Sequence, residues 1–442
     1  MLDALPGDLV SRLLIGLPST ADIACFLLVS KTVRPLVEDA LRLRAQAKIG
    51  CVLPLALPIQ ESSWVQYLMW LDRRSSPPFQ ISLGYRSAAI VDDGGRLLTL
   101  GSVSDEGILG HGPSVTQLAT PKLVPMPSGN CRVHFVSMGT AHTLLSTDCG
   151  VLSFGIGVHG RLGHGHTLAV SAPQRIESLQ HLKKARSVVA GGSHSIVLMD
   201  DGATYSFGYG RNGQLGHGNR KDQLTPRRIL SADADGPQRW TSIAAGNHHS
   251  LALSADGVLW SFGRGFKGRL GHGDDGVDRT RPTAVAALRG KRVTAIAAGD
   301  MHSIVLTEEG GCYGCYTFGD GSYGQLGYGT HGESQLSPQR IRTLPEEPLV
   351  TVSAGDAHSL VLTQNGHVFG FGSGFSQLPV PPLPWEICHE PDVVSVAASD
   401  GVSACAMSDG RIICVGAGWD WLRSLPATHK PLNILVSESY PN

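Results

Sequence analysis

From residue 79 to the end of the chain, short apolar runs alternate with glycine-rich polar turns, and the alternation returns at a steady period. The fourth return shows the unit most clearly. TSIAA (241–245), HSLALS (249–254) and VLWSFG (258–263) are alternating apolar runs of strand length. Asp256-Gly257 separates the last two. Such a step is a hairpin signal, because a type I′ turn needs positive φ at both central residues. A glycine-rich loop follows, and then a proline-led run such as PRRI (226–229) in the preceding unit. Each period therefore predicts four short strands.

The repeated phrase has the form AAG-x-x-HS-L-x-L-x-x-DG-x-L-x-S-FG-x-G-x-x-G-x-LGHG. Its histidines are His142, His194, His249, His302 and His358, and the glycines of its FG pair are Gly101, Gly155, Gly208, Gly263, Gly319, Gly372 and Gly416. The first copy has Ser87 at the histidine and Leu100 before the glycine; the last has Val402 and Val415. Seven cycles result, with the ends decayed. Four strands every ~50 residues predict a propeller blade, and seven blades close a ring that hides the sheet edges. The expected fold is mainly β, a seven-bladed β-propeller of four-stranded blades, preceded by a small α-helical segment. The strand that seals the ring is not readable from the period. Blade six lacks the LGHG loop (SQLPVPP, 376–382), blade seven has GAGWDWLRS (416–424) there, and Gly-Cys-Tyr at 311–313 is repeated at 314–316 as a short duplication in a hairpin.

The phrase resembles the regulator-of-chromosome-condensation repeat family, which implies a seven-bladed propeller over residues 79–442. Residues 1–50 have another texture. Leu9, Leu13, Leu14 and Leu17 share a helical face, Pro18-Ser19-Thr20 breaks it, and a second helix holds Ile23 and Cys25–Val29. Leu5-Pro6, Leu13-Leu14, Leu17-Pro18, Ile23 and Val29 together resemble an F-box, although the tryptophan often seen near the end of that motif is absent. A plain helical cap or dimerisation element is the other reading. Residues 51–78 form a linker whose SSWVQYLMWLDRR stretch suits a short amphipathic helix.

Composition sharpens this picture. Of 442 residues, 55 are glycine and 26 proline, and the repeat's turn positions absorb most of the glycine. Collagen is excluded by the lack of a G-X-Y period. The 42% of apolar residues argues against disorder. A net charge of −1 gives no bulk attraction to nucleic acid or anionic membrane. The nine cysteines are scattered, which suits free thiols, and MLDALPGDLV has no basic n-region. No apolar run approaches the ~20 residues that span a bilayer. An intracellular protein of cytoplasm or nucleus is expected.

Four GxGxxG matches (155–160, 208–213, 263–268, 319–324) lack a following helical period, so they are read as turns rather than nucleotide loops. The repeat histidines are spread over blades and do not converge on a metal; they are expected to bond blade backbone, with His164-Gly165-His166 a weak exception. Cys312 and Cys315 form a CxxC with no helix to activate it. No cofactor and no catalytic residue are expected.

Function belongs where the repeat varies. The two residues after the glycine of GxxH are such a place, and they should crowd one propeller face. Tyr85, Arg86, His248, Asp300, Asp356 and Asp400, with Trp419 and Trp421 of the decayed blade, are the candidate partner-binding set. The aspartates form either an acidic arc for basic partners or ordinary solvated turns. Arg161, Arg211, Arg264, Lys267 and Arg269 form either a basic sector or a solvated one. Three functions follow. The F-box resemblance implies a non-enzymatic substrate receptor of a Skp–cullin ubiquitin ligase, with Leu5, Pro6, Leu9, Leu13, Leu14, Leu17, Ile23 and Val29 on a Skp-type adaptor and a ubiquitylation substrate on the propeller. The propeller resemblance implies, as an alternative, guanine-nucleotide exchange on a Ran-like small GTPase. A light sensor similar to a plant UV-B photoreceptor is a third, weakened because Thr140, Gly192, Asn247, Asp300 and Asp356 stand where that relative has tryptophan. The five propeller tryptophans do not cluster by blade phase.

Overall fold

The computed structural model describes residues 80–92, 94–103, 107–129, 131–182, 184–230, 238–309, 312–329, 332–373, 383–408, 411–416 and 434–436. Chain contacts divide the molecule into Met1–Pro77 and Pro78–Asn442, and the described residues lie in the second unit. The F-box-like positions, the preceding helices and linker, and Trp419 and Trp421 lie outside the described residues.

Seven four-stranded sheets form, each from four consecutive strands. The blades span 80–123, 133–175, 185–228, 240–284, 292–340, 349–389 and 393–436. The first strand of each blade touches the first strands of its two neighbours and so lies innermost, with the seventh blade returning to the first. Among the described residues, no strand crosses to another blade's sheet. Closure therefore rests on packing: Leu83, Ala88, Ile90 and Leu100 of blade one meet Ala397, Val402, Ala404 and Ile412 of blade seven. In blade seven the outer strand Ile434–Val436 runs parallel to its neighbour, unlike the outer strands of the other six. Residues 417–433 supply the long connection that a parallel pair requires.

The hairpins form where the sequence places them, but the expected turn type is wrong at Asp256-Gly257. Only the glycine has positive φ there (82°). Gly257 N donates to Ser254 O at 3.0 Å and Ser254 N to Val258 O at 3.1 Å, a three-residue loop closed by a left-handed glycine. The type I′ pattern appears instead at Asp400-Gly401, with φ of 37° and 71°, between the paired residues Ser399 and Val402. The Gly-Cys-Tyr duplication lengthens the hairpin of blade five, whose strands His302–Glu309 and Cys312–Gly319 have eight residues each. The GxGxxG segments close tight turns, such as Gly160 N to Gly157 O at 2.8 Å, and the described residues contain no α-helix.

Apolar clusters sit between blades rather than inside them. Phe154, Phe207, Phe262, Phe318 and Phe371 of the FG pairs are all buried. Each presses on the LG glycine of the blade before it, from Gly110 under Phe154 to Gly327 under Phe371. Full burial of a phenylalanine contributes ~1.5–3 kcal/mol. The decayed positions now pair up. Blade six lacks the LGHG loop, and blade seven has Val415 in place of the phenylalanine that would receive it. Blade seven also lacks the loop, and blade one has Leu100. A phenylalanine is kept only where a preceding loop covers it.

Candidate functional site

The repeat histidines set the geometry of the inner rim, and their partners differ from the backbone expectation. His142 Nε2 meets Ser195 Oγ of the next blade at 2.8 Å, and His194 meets Ser250 at 2.9 Å. His249 meets Ser303 at 3.0 Å, His302 meets Ser359 at 2.8 Å and His358 meets Ser403 at 3.2 Å. The serines pass the chain on to backbone: Ser250 Oγ donates to Gln214 O at 2.8 Å and Ser303 Oγ to Arg269 O at 2.9 Å. The bonds are thus inter-blade rivets. The serine after His194, His249, His302 and His358, and after Val402 in blade seven, was the available signal; its role is invisible in one blade because its partner is ~50 residues away in another. The relay stops at blade one, where Ser87 and Ala88 stand in for His-Ser and the Ser87 hydroxyl is buried with no bonding partner. The histidines of the LGHG loops bond hydroxyls too, such as His164 with Ser153 at 3.0 Å, which occupies one member of the 164–166 triplet.

Burial drives the rivet histidines far below the ordinary imidazole pKa. It holds His194 and His302 at about 3 and His358 at about 4. They are neutral spacers and do not titrate near neutrality.

The glycine of each GxxH phrase has a different reason from positive φ. A Cβ on Gly139, Gly191, Gly246 or Gly299 would lie closer than 3.0 Å to the carbonyl oxygen of the equivalent glycine one blade on. Only glycine lets these hairpins meet at the axis this closely, and blade seven has Ser399 at the equivalent position. Around them opens a cavity of about 280 Å³ to which every blade contributes. Its lining includes Tyr85, Thr140, Gly192, Asn247, Asp300, Asp356 and Asp400, one from each blade in ring order. The three aspartates are consecutive, so one side of the opening is acidic.

The ring wall withholds bulk water from the Asp356 carboxyl, and Asp400 and Asp300 add like charge. Together they push its pKa up to about 6, although the side chain still reaches the solvent of the opening. Burial also raises Asp400, and Arg86 counters it. Tyr85 is 46% exposed. Arg86 is exposed and has φ of 50°, a left-handed conformation that is uncommon for arginine. Arg86 and His248 do not line the cavity. His248 sits beside Tyr209, with ring centroids 6.3 Å apart, and burial and the guanidinium groups of Arg269 and Arg264 hold it neutral.

The basic sector largely dissolves. Arg161 and Arg269 are buried, and their Nη1 atoms donate to the carbonyls of Gly192 and Asp300 at 3.1 Å each, bracing the cavity from behind. Lys267 pairs with Asp320 at 2.8 Å. Cys315 is buried and inert, with its thiol pKa pushed up by burial. Trp240 and Trp260 of blade four do meet, edge to face with centroids 5.7 Å apart, but in the layer shared with blade three and away from the opening.

The model of the RCC1-like domain matches residues 71–341, and that of the regulator of chromosome condensation repeat matches 349–377. The chain belongs to the RCC1-like domain family. Among relatives of this family, the chain is 35% identical to the Ultraviolet-B receptor UVR8 of Arabidopsis thaliana over 271 residues, 61% of this chain and 59% of that one. It is 38% identical to the E3 ubiquitin-protein ligase HERC2 of Homo sapiens over 234 residues, 52% of this chain but 5% of HERC2. Among solved structures, yeast RCC1 (Prp20) bound to Kap60 gives a TM-score of 0.65 at 22% identity, covering 83% of this chain and 86% of that one. Human WBSCR16 gives 0.64 at 24%, covering 73% and 84%. These structures share the RCC1-like fold. No helix among the described residues is long and apolar enough to cross a membrane.

Proposed function

We propose that this RCC1-like propeller is a protein-interaction module that receives a basic segment of a partner at its axial opening. The observation that carries this is the row Asp300, Asp356 and Asp400 on one side of a cavity of about 280 Å³. Asp400 and Asp300 press like charge on the Asp356 carboxyl, and an incoming cation relieves that crowding, so a lysine or arginine side chain gains from all three. One neighbour in fold supports the reading: Prp20p of Saccharomyces cerevisiae, described with its binding to Gsp1p and histones. The test is fluorescence titration of the full chain with arginine- and lysine-rich peptides across a salt series. Affinity should fall on the order of tenfold or more in the Asp300→Asn/Asp356→Asn/Asp400→Asn variant and weaken with salt. Equal affinity of wild type and variant would sink the proposal.

Guanine-nucleotide exchange on a Ran-like GTPase is the second reading, favoured by the Prp20p likeness in fold. An unchanged rate of labelled GDP release from such a GTPase ends it. The Skp–cullin receptor reading rests on the Leu5-Pro6 to Val29 pattern alone. Its check is capture of a Skp-type adaptor by wild type and its loss with Leu13→Asp plus Leu17→Asp.

A further inference from the structure

We propose that His367, Glu386 and His389, at the outer edge of blade six, form a binding site for a zinc-type divalent transition metal. The third strand of this blade, His367–Gly372, pairs antiparallel with the outer strand Trp385–His389, and His367 stands directly across from His389. Glu386 is three residues from His389. In a regular strand that odd separation puts two side chains on opposite faces. Here the register passes from Val368↔Cys388 to Phe369↔Glu386, leaving Ile387 as an extra residue. The bulge brings Glu386 opposite Phe369, two residues along from His367, and so onto the face of both histidines.

The result is a converging donor set. One ligand atom from each of the three side chains lies within 4.8 Å of the other two. Glu386 Oε1 is 2.9 Å from His367 Nδ1 and 3.8 Å from His389 Nδ1. Zinc bonds of ~2.0–2.1 Å in a tetrahedron hold ligands about 3.4 Å apart, so these separations bracket what is needed. Two imidazoles and a carboxylate match the borderline character of zinc better than that of calcium or magnesium. The side chains of His367, Glu386 and His389 are 27%, 40% and 56% exposed, which leaves room for water as the fourth ligand. The two rings are stacked, with centroids 3.9 Å apart and planes at 14°. Stacked rings do not aim their lone pairs at one point, so His389, the most exposed, turns out of the stack when the ion enters.

The position suggests the purpose. In blades one to five a side chain of the loop after the third strand bonds a hydroxyl on that strand, from His111 with Thr99 at 3.0 Å to Tyr328 with Thr317 at 2.6 Å. Blade six has lost the LGHG loop and has Gly370 where the hydroxyl would stand. A metal across His367 and His389 fastens the third strand to the outer strand in the blade that lacks this bond.

Calorimetric titration of the chelator-treated full chain with zinc chloride tests this, with cobalt(II) absorption as a second readout. Wild type should bind one more equivalent than His367→Ala/His389→Ala, and the tetrahedral cobalt bands of that equivalent should vanish in the double variant. Glu386→Gln, which keeps size and fold, should weaken the site on the order of tenfold. Zinc should raise the melting temperature of wild type and not of the double variant. Identical stoichiometry and affinity in wild type and double variant overturn the proposal by placing any zinc elsewhere, and so does the absence of saturable binding below millimolar zinc.

Discussion

At the scale of single residues, the same environment that hides a histidine decides the acid stability of the ring. His194 and His302 have pKa values of about 3 when folded and 6.5 when free. Between these values the unfolded chain holds more protons, so stability is complete above about 6.5 and is lost as pH falls below it. Each such histidine costs roughly 1.4 kcal/mol per pH unit in that window. Urea midpoints should therefore drop steeply from pH 6.5 to 5, and a His302→Asn variant should show a shallower slope. Asp356 behaves in the opposite sense. Its folded pKa of about 6 exceeds its ordinary 3.8, so its contribution worsens as pH rises through that interval. Asp356→Asn should melt higher than wild type at pH 7, with the gap closing toward pH 4, while its affinity for basic peptides falls. A constant gap across that range would mean that the carboxyl is not perturbed.

At the scale of elements, the inner hairpins are where the sequence was read for the wrong reason. The GxxH glycines read as turn positions like Gly257, whose φ is positive. At Gly246 the demand is for proximity, because the Gly299 carbonyl occupies the place of a side chain. Gly246→Ala should destabilise the protein by ~1–3 kcal/mol, read as a shifted urea midpoint with an unchanged slope. Strands, hairpins and blade count were legible because alternation and period are local. The serine rivets, the bulge at Ile387 and the true turn at Asp256-Gly257 were not. Each depends on a partner strand whose register a one-dimensional pattern does not contain. The His367, Glu386 and His389 set escaped for the same reason, since Glu-x-x-His reads as opposite faces until the bulge is known.

For the whole molecule, no strand is exchanged among the described residues of blades seven and one, so that junction is where the ring is expected to open first. That seam has neither a histidine rivet nor a loop over a phenylalanine, and depends on the small apolar cluster around Leu83, Leu100 and Ala404. Leu83→Asp should raise amide exchange first in blades one and seven, while blades three to five stay protected. Uniform acceleration around the ring would show that closure is shared equally by all seams.

The sequence by itself determined the period, the seven blades and the decay of blades six and seven. These follow from alternation, turn chemistry and counting, which need no neighbour. Only the tertiary structure decided what the repeated residues are for. Histidine, serine, phenylalanine and glycine each act on a neighbouring blade, and the charges of Asp300 and Asp400 reach the Asp356 carboxyl only because the ring bends three hairpins ~50 residues apart around one opening. Those interactions are set by distances through space, which the spacing along the chain does not fix until the ring is closed.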